Sequence, residues 1–268
     1  LVKFDEPFQN LLTQGMVVAP TFYRELPGDK KEWINQADID ISTDERGVPT
    51  HATLKADGLP VKIGATEKMS KSKNNGVDPQ SQIEKFGADA TRLFILFAAP
   101  PEKDLNWNDQ AAEGSYRFLT RLWRVAQTAL PDIQAAQVGA FDHAALPKAV
   151  RDLRRRTHIT IKKVTEDLDG RFHFNTAISA IMELLNEISA FELPQDGADK
   201  ALAARVLLEA IEAMVMLMSP FTPHICEELW EALGHAQSIF KERWLSFDAE
   251  AAKAEDYGKG FAVVATEV

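Results

Sequence analysis

The chain has 268 residues, of which 45% are hydrophobic and 26% charged, a composition typical of a globular protein long enough for two modest cores. Its single cysteine, Cys226, excludes an internal disulfide and a cysteine-cluster zinc site, so we predict no structural zinc. No apolar run approaches the roughly 18 residues of a membrane span, and the first residues lack the apolar core of a signal peptide. We therefore expect a cytoplasmic protein without membrane contacts.

The formal net charge of -10 argues at first against a nucleic-acid partner, because phosphate contacts need lysine and arginine. The charges are unevenly distributed, however, with acidic residues concentrated near both ends of the chain. Basic residues concentrate in one short central stretch, made of Arg151, Arg154, Arg155, Arg156, Lys162 and Lys163. A local basic face is therefore compatible with the acidic total.

The N-terminal segment predicts a helix followed by a short strand. Asp5 is a candidate cap, Pro7 lies in the first turn, and Gly15 would end the helix. Residues 16–18 then predict a short buried strand. Because a lone helix and strand cannot bury both of their faces, we expect the strand to lack partners in this chain and to form the edge of a larger layered domain. The apolar residues at helical spacing are Phe8, Leu11 and Leu12.

Residues 24–63 change to short apolar pairs separated by charged and turn residues. Asp57 and Gly58, between Leu54 and Val61, form a dipeptide that is a strong hairpin signal. This pattern predicts a small antiparallel β-rich insertion. A flexible surface loop is the alternative.

The remainder of the chain predicts helices. Two short ones follow Asp78, the first ending at Gly87 and the second at the proline pair 100–101. Beyond Trp107 the apolar residues recur at helical spacing, and short connections favour antiparallel packing in a bundle. The longer helices are predicted at about 108–129, 146–169, 175–192, 199–218 and 223–233, and a single strand at 261–268.

A polar segment at residues 67–76 carries three lysines beside hydroxyl and amide side chains. A compact ammonium on a flexible stem suits charge that develops on moving phosphate oxygens, so a polyphosphate is the natural ligand. The following helix begins with the acidic Asp78, so the lysines must bind the anion themselves. A solvated basic loop is the alternative for three lysines considered without their context.

The context of the lysines resembles one protein family. Residues 68–72 read Lys-Met-Ser-Lys-Ser, which is similar to the KMSKS signature of class I aminoacyl-tRNA synthetases, and the flanks resemble the leucine enzymes of bacteria. The resemblance covers nearly the whole chain in order. The matching segments are Gln14-Gly15-Met16-Val17, Asn75-Gly76-Val77-Asp78-Pro79, Gly87-Ala88-Asp89 with Arg92, Glu113-Gly114, Arg117-Phe118-Leu119, Phe174-Asn175-Thr176-Ala177-Ile178 and Ser219-Pro220-Phe221-Thr222-Pro223-His224.

The resemblance implies a mainly α fold, in which a helical bundle of the anticodon-binding type follows the C-terminal edge of an α/β Rossmann-like catalytic domain. The β-rich insertion occupies the place of a leucine-specific insertion. The implied divisions are 1–24 (catalytic domain), 25–64 (insertion), 65–106 (KMSKS loop and connecting helices), 107–247 (tRNA-binding bundle) and 248–268 (linker and start of a further domain).

The activity implied by the resemblance is ATP-dependent activation of leucine, release of pyrophosphate and transfer of the acyl group to tRNA(Leu), with Mg²⁺ accompanying ATP. The loop would close over ATP, and Lys71 would stabilise the leaving pyrophosphate with help from Lys68. Ser70, Ser72 and Asn75 would mainly shape the loop. The implied ATP-binding set is Lys68, Met69, Ser70, Lys71 and Ser72.

The family also uses a His-x-Gly-His signature, and none of the histidines in this sequence lies in such a setting. By resemblance, the leucine pocket and the editing domain would lie upstream. We therefore expect leucine to bind through a catalytic core missing from this chain, and the chain alone to be inactive and monomeric. The histidines are His51, His143, His158, His173, His224 and His235.

Two sets of arginines are candidate tRNA contacts. Arg117, Arg121 and Arg124 recur at spacings of four and three, so they share one helix face. Arg154 and Arg155 belong to the second basic stretch. A salt-bridged solvent face is the alternative for either set. The resemblance favours tRNA, bound mainly through backbone and shape contacts.

Two competing functions remain. One is the valine, isoleucine or methionine branch of the same enzyme class, and the other is a non-catalytic RNA-binding helical module. Several other conspicuous residues are interpreted as structural: Trp107, Trp123 and Trp230 as core or junction packing, and His224 as local support.

Overall fold

A computed structural model describes residues 11–45, 48–134, 136, 142, 145–195 and 197–253. Most of the predicted N-terminal helix and the predicted strand at 261–268 lie outside these residues. Residues 11–14, the described end of that helix, are not helical. Leu11 is 83% exposed there, so it contributes no packed apolar face, and a short helix in water is not stable without one.

A four-stranded sheet is built around a long first strand, β1 (Val17–Leu26). The antiparallel β5 (Lys62–Lys68) lies along one edge of β1. The other edge carries the antiparallel β2 (Lys30–Trp33) at one end and the parallel β6 (Leu105–Asn106) at the other. The expectation that the strand at 16–18 lacks partners is therefore wrong. The sequence pattern did not show that the strand continues to Leu26 and pairs with segments far along the chain.

Gly15 precedes this sheet and permits a close approach of two backbone segments. Its N–H donates to the carbonyl oxygen of Pro101 at 2.7 Å. A Cβ atom at this position would lie 2.1 Å from the carbonyl oxygen of Lys103. The glycine is therefore needed for contact with the segment before β6, and it does not end a described helix.

The predicted β-rich segment is a hairpin of β3 (Ile39–Thr43) and β4 (Pro49–Leu54) that continues into β5. Gly58 has φ 68° in the turn after β4, as the Asp-Gly signal predicts. A small core joins this hairpin to the main sheet and consists of Phe22, Ile34, Ile39, Ala52 and Val61. The predicted insertion begins after residue 24 and ends at residue 64, but β1 continues past the first boundary and β5 past the second. The division of the chain at these two residues therefore stays a proposal.

Two connecting helices, α1 (Pro79–Phe86) and α2 (Ala88–Ala98), follow the sheet. Asp78 caps α1 by accepting the N–H groups of Gln80 and Ser81. Arg92 of α2 donates to the carbonyl oxygens of Pro220 and Phe221, in the turn between the last two bundle helices. These helices therefore link the sheet to the bundle.

The bundle consists of α3 (Asp109–Ile133), α4 (Lys148–Leu168), α5 (Phe174–Ala190), α6 (Gly197–Met218) and α7 (Pro223–Ala232). Their apolar faces form one core that also includes α1 and α2. The central helix is α6, whose second half is almost entirely buried. The mainly α fold expected from the periodicity is confirmed. No helix in the described part of the chain is long and apolar enough to cross a membrane.

Candidate functional site

The lysine loop begins where β5 ends. Met69 donates its backbone N–H to the carbonyl oxygen of Val17 at 3.0 Å, which extends the sheet pairing by one residue. Ser70 then caps one turn of 3₁₀ helix, Lys71–Lys73, and its Oγ accepts the N–H of Lys73 at 3.3 Å. Asn74 ends this turn in the left-handed region, with φ 50°. The turn displays the loop side chains at one end of the sheet.

The amide of Asn75 holds the two sides of the loop together. This side chain is buried, with 3% of its surface exposed. Its Oδ1 accepts the backbone N–H of Ser70 at 2.9 Å. Its Nδ2 lies within hydrogen-bond distance of three carbonyl oxygens, those of Ala19, Glu67 and Lys68. Asn75 therefore shapes the loop from its buried side and is not available to a ligand.

A second set of contacts ties the loop to the end of β2. The ammonium of Lys73 lies 3.3 Å from a carboxylate oxygen of Glu67 and 4.2 Å from the ring centroid of Trp33. Asn35 donates its Nδ2 to the Oδ1 of Asn74 at 3.2 Å. Trp33 and Asn35 carry no sequence signal of this role, because their contact with the loop depends on the pairing of β1 with β2.

Lys68 and Lys71 differ from Lys73. Both are exposed, and the ammonium group of neither has an ion-pair or hydrogen-bond partner among the residues that the structure describes. The three lysines therefore separate into one that anchors the loop and two whose ammonium groups are available to an anion. This separation agrees with the choice of Lys68 and Lys71 as the candidate catalytic pair.

A cavity of about 230 Å³ adjoins the loop. Ser70 and Lys71 line it, whereas Lys68, Met69 and Ser72 do not. The structure thus brings two of the five predicted ATP-binding residues to one concave surface. The other lining residues are Asn35, Asn74, Gly76, Val77 and Asp78.

The first candidate RNA face lies on α3, where the three arginines have different surroundings. Arg117 is exposed and lies 3.6 Å from the carboxylate of Glu113, one turn earlier. Arg121 donates to Asn186 at 2.7 Å and to Ser189, both on α5. Arg124 is exposed and has no hydrogen-bond or ion-pair partner in the described ranges. Arg117 and Arg124 are therefore the more available pair.

The second candidate face, on α4, is largely paired with carboxylates. Arg155 lies 3.7 Å from Asp152, Lys163 lies 3.0 Å from Asp167, and Arg156 pairs with Glu183. The pattern favours the alternative of a salt-bridged face, and Arg155 is the partly exposed member of the original pair.

Arg154 is part of a buried polar network and not of a surface. Only 7% of its side chain is exposed, and it lies 3.0 Å from both Glu209 and Asp248. The backbone N–H of Asp248 donates to Nδ1 of His158, whose Nε2 lies 3.1 Å from Glu209. Arg154 thus joins α4, α6 and the C-terminal segment. We remove it from the candidate RNA contacts because its guanidinium does not face solvent.

Asp248 shows how this network is balanced. Burial raises the pKa of its carboxyl, but hydrogen bonds from the Ala251 and Glu250 N–H groups and from Arg154 outweigh that effect. The net result is a pKa below the ordinary value, so the carboxylate is charged in its pairing with Arg154.

Two protein families match successive parts of the chain. The family described as tRNA synthetases class I (I, L, M and V) matches residues 28–108, and the anticodon-binding domain of tRNA ligase matches residues 150–266. The leucine--tRNA ligase of Chromohalobacter salexigens is 50% identical over 256 residues, which are 96% of this chain and 29% of that protein. The leucine--tRNA ligase of Dechloromonas aromatica is 56% identical over 229 residues, which are 85% and 25%.

This chain belongs to the leucyl-tRNA synthetase family. It spans less than a third of the length of these curated relatives. A solved leucyl-tRNA synthetase, agnB2 LeuRS of Agrobacterium radiobacter K84 in a ternary complex with tRNA and LeuAMS, has a similar fold. The TM-score is 0.60 at 31% identity, over 70% of this chain and 24% of that one.

A similar fold is also found outside the leucine branch. Methionyl-tRNA synthetase of Mycobacterium tuberculosis, solved with methionyl-adenylate, matches with a TM-score of 0.53 at 23% identity, over 63% of this chain and 36% of that one. This likeness concerns the fold alone. The leucyl-tRNA synthetase relatives, at about twice that identity, place the chain in the leucine branch.

Proposed function

We propose that this chain supplies the mobile nucleotide loop and the RNA-facing bundle of a leucine--tRNA ligase. The reaction is ATP-dependent activation of leucine, followed by transfer of the leucyl group to tRNA(Leu). The observation that carries the proposal is the difference between the three loop lysines. Lys73 is anchored, whereas Lys68 and Lys71 present ammonium groups without a partner among the described residues. The sequence relationship to leucine--tRNA ligases supports the choice of substrates.

In this proposal Lys71 acts on charge that develops during adenylate formation. As leucine attacks the α-phosphorus of ATP, negative charge accumulates on the departing pyrophosphate. An ammonium at the edge of a concave site stabilises that charge more in the transition state than in the ground state, which raises the rate. Lys68 adds a second positive charge from the end of β5, and the Ser70 hydroxyl can contact a phosphate oxygen directly.

We propose that Mg²⁺ enters with ATP, held mainly by the phosphates. No group of three or more acidic, histidine or cysteine side chains in the described ranges could hold a metal ion. This chain would then contribute positive charge to the same phosphates and no dedicated metal cage.

We propose that tRNA lies across α3, with Arg117 and Arg124 facing its phosphates and Arg121 held at the edge by α5. Arg155 is a weaker candidate on α4. Backbone contacts of this kind depend strongly on salt. We further propose that the protein is a cytoplasmic monomer.

A segment exchange tests the proposal. Residues 11–253 would replace the corresponding segment of the Dechloromonas aromatica leucine--tRNA ligase, giving a chimera. We expect the chimera to charge tRNA(Leu) with leucine when ATP is present, and the chain by itself to show no leucine-dependent turnover. A folded chimera without charging activity, or turnover by the chain alone, would contradict the proposal.

Competition binding separates the leucine branch from its neighbours. The isolated chain is expected to bind tRNA(Leu) in preference to tRNA for valine, isoleucine or methionine, with an affinity that falls steeply as salt rises. Neutralising Arg117, Arg121 and Arg124 together should flatten that salt dependence. Equal binding of all four tRNAs would favour the non-catalytic RNA-binding alternative.

A further inference from the structure

A second groove, of about 530 Å³, lies between α2, α3 and α7, and none of the loop residues 67–76 lines it. Its volume falls in the range of about 300–1,000 Å³ that is usual for small-molecule sites. It is open to solvent along one side of α3. Nothing in the loop chemistry described above requires it.

Aromatic side chains form the walls of the groove. Trp123 is 39% exposed and Tyr116 is 48% exposed, two turns apart on the same face of α3, and Phe86 also lines the groove. The ring centroids of Phe86 and Tyr116 are 6.4 Å apart. Trp123 was interpreted from the sequence as core or junction packing, and the structure leaves part of its side chain exposed. Exposed flat aromatic surfaces of this kind are the usual stacking platforms for unpaired bases.

His224 supplies a polar group at the rim. Its Nδ1 lies 2.9 Å from Oδ1 of Asp89, and its side chain is 75% exposed. Because a carboxylate only accepts, Nδ1 carries the proton and donates it. In the neutral ring, Nε2 is then a hydrogen-bond acceptor. Asp89 orients the ring, and Asp89 is itself held in place because its Oδ2 accepts the backbone N–H of Ile225 at 2.8 Å. An exocyclic amino group of a nucleobase is a fitting donor to that nitrogen.

Positive charge borders the groove on the same helix. Thr120 lines the groove, and it lies three residues after Arg117 and four before Arg124, so both arginines flank it on the surface of α3. A nucleotide whose base entered the groove could therefore direct its phosphates toward two guanidinium groups. Apolar walls beside cationic edges match a nucleotide better than they match an apolar protein segment.

We infer that this groove is a pocket for one unstacked nucleobase, carrying an exocyclic amino group, of an RNA bound to α3. The base stacks between Trp123 and Tyr116, and its amino group donates to Nε2 of His224. The inference rests on the RNA-binding part of the proposed function. It adds a specific base contact to a surface expected from the sequence to bind tRNA mainly through backbone and shape contacts.

The test is binding of fluorescently labelled tRNA(Leu) to the chain carrying Trp123→Ala, Trp123→Phe or Trp244→Ala. Trp244 is a matched control because it is 40% exposed and lies near the end of α4, where its Nε1 donates to Thr165. Loss of one stacked base weakens binding by roughly tenfold or more. We expect that loss for Trp123→Ala, a smaller loss for Trp123→Phe, which keeps a stacking ring, and no change for Trp244→Ala.

A competitor separates base stacking from charge alone. A blunt RNA duplex presents phosphates without unpaired bases. It should therefore displace labelled tRNA(Leu) equally well from the parent chain and from a His224→Ala variant. A single-stranded oligoribonucleotide should displace labelled tRNA(Leu) less well from that variant than from the parent chain. Parent-like tRNA affinity of Trp123→Ala would overturn the pocket while leaving RNA binding intact. Absence of tRNA binding by the parent chain would overturn the RNA-binding proposal and the pocket with it.

Discussion

Asn75 offers a quantitative test of how the loop is held. Replacing it with alanine removes the Oδ1 acceptor of the Ser70 N–H and the Nδ2 donor to three backbone carbonyls. The amide can make about three hydrogen bonds at once, each worth about 1 kcal/mol net, so Asn75→Ala should favour local opening of the loop by about 3 kcal/mol. At tenfold per 1.4 kcal/mol, the Ser70 amide should exchange with solvent about 100-fold faster.

The assay is native-state hydrogen exchange at the Ser70 amide, with Asn75→Asp as the sharper variant. Aspartate has the same shape, but it places an oxygen where Nδ2 faced carbonyl oxygens, so it should open the loop at least as much as alanine does. Asn108→Asp is the matched control, because Asn108 caps α3 only by accepting N–H groups, and aspartate can do the same. Protection of Ser70 within threefold of the parent in Asn75→Asp would refute the reasoning.

Three further predictions concern other parts of the chain. The hydrogen bond from Arg24 lowers the pKa of Asp57 from 3.8 to about 2, so the stability that this pair contributes should be complete above pH 4 and lost as pH falls toward 2, which carboxyl NMR titration can follow. Burial raises the pKa of Cys226 to about 12, so its thiol should resist alkylation at pH 8 until the chain is unfolded, as mass spectrometry would show. Arg154→Met leaves Glu209 buried without its guanidinium, and urea unfolding should show a loss of about 3 kcal/mol.

Each of these predictions has a distinct contradicting result. A carboxyl titration of Asp57 near 3.8 would show that Arg24 does not pair with it in solution. Rapid alkylation of native Cys226 would place the thiol at the surface. For the network, the matched control is Lys162→Met, because the contacts of Lys162 are exposed ones. They are an ion pair with Glu166 at 3.9 Å and a position 5.6 Å from the ring centroid of Phe247, so the variant should lose at most about 1 kcal/mol. Equal losses for the two methionine variants would contradict the buried network.

The sequence predicted the bundle well because helical periodicity is a local property. The predicted helices at 175–192 and 199–218 differ from α5 and α6 by two residues at most at each end. The loop was predicted from its amino-acid sequence and from its resemblance to the KMSKS signature. The anchoring of Lys73 by Trp33 was not, because that contact exists only once β1, β2 and β5 pair.

The failures have a common physical origin. A helical wheel gives the direction of a side chain from its own helix but not what lies opposite. Arg154 was interpreted as a surface charge because its neighbours are basic, whereas α6 presents Glu209 to it. Trp123 was interpreted as core or junction packing because it follows an apolar stripe, whereas it lines an open groove beside α2 and α7 and is partly exposed. Tertiary packing decided both outcomes.

The central claim is that Lys71 acts on the phosphates of ATP during adenylate formation. Its most direct test is leucine-dependent ATP–pyrophosphate exchange in the Dechloromonas aromatica chimera carrying Lys71→Ala. The matched control is Lys30→Ala, an exposed lysine paired with Leu26 at the far end of the sheet. We expect a fall of roughly 100-fold or more for Lys71→Ala, with the control unchanged. An exchange rate for Lys71→Ala within twofold of the parent chimera would contradict it.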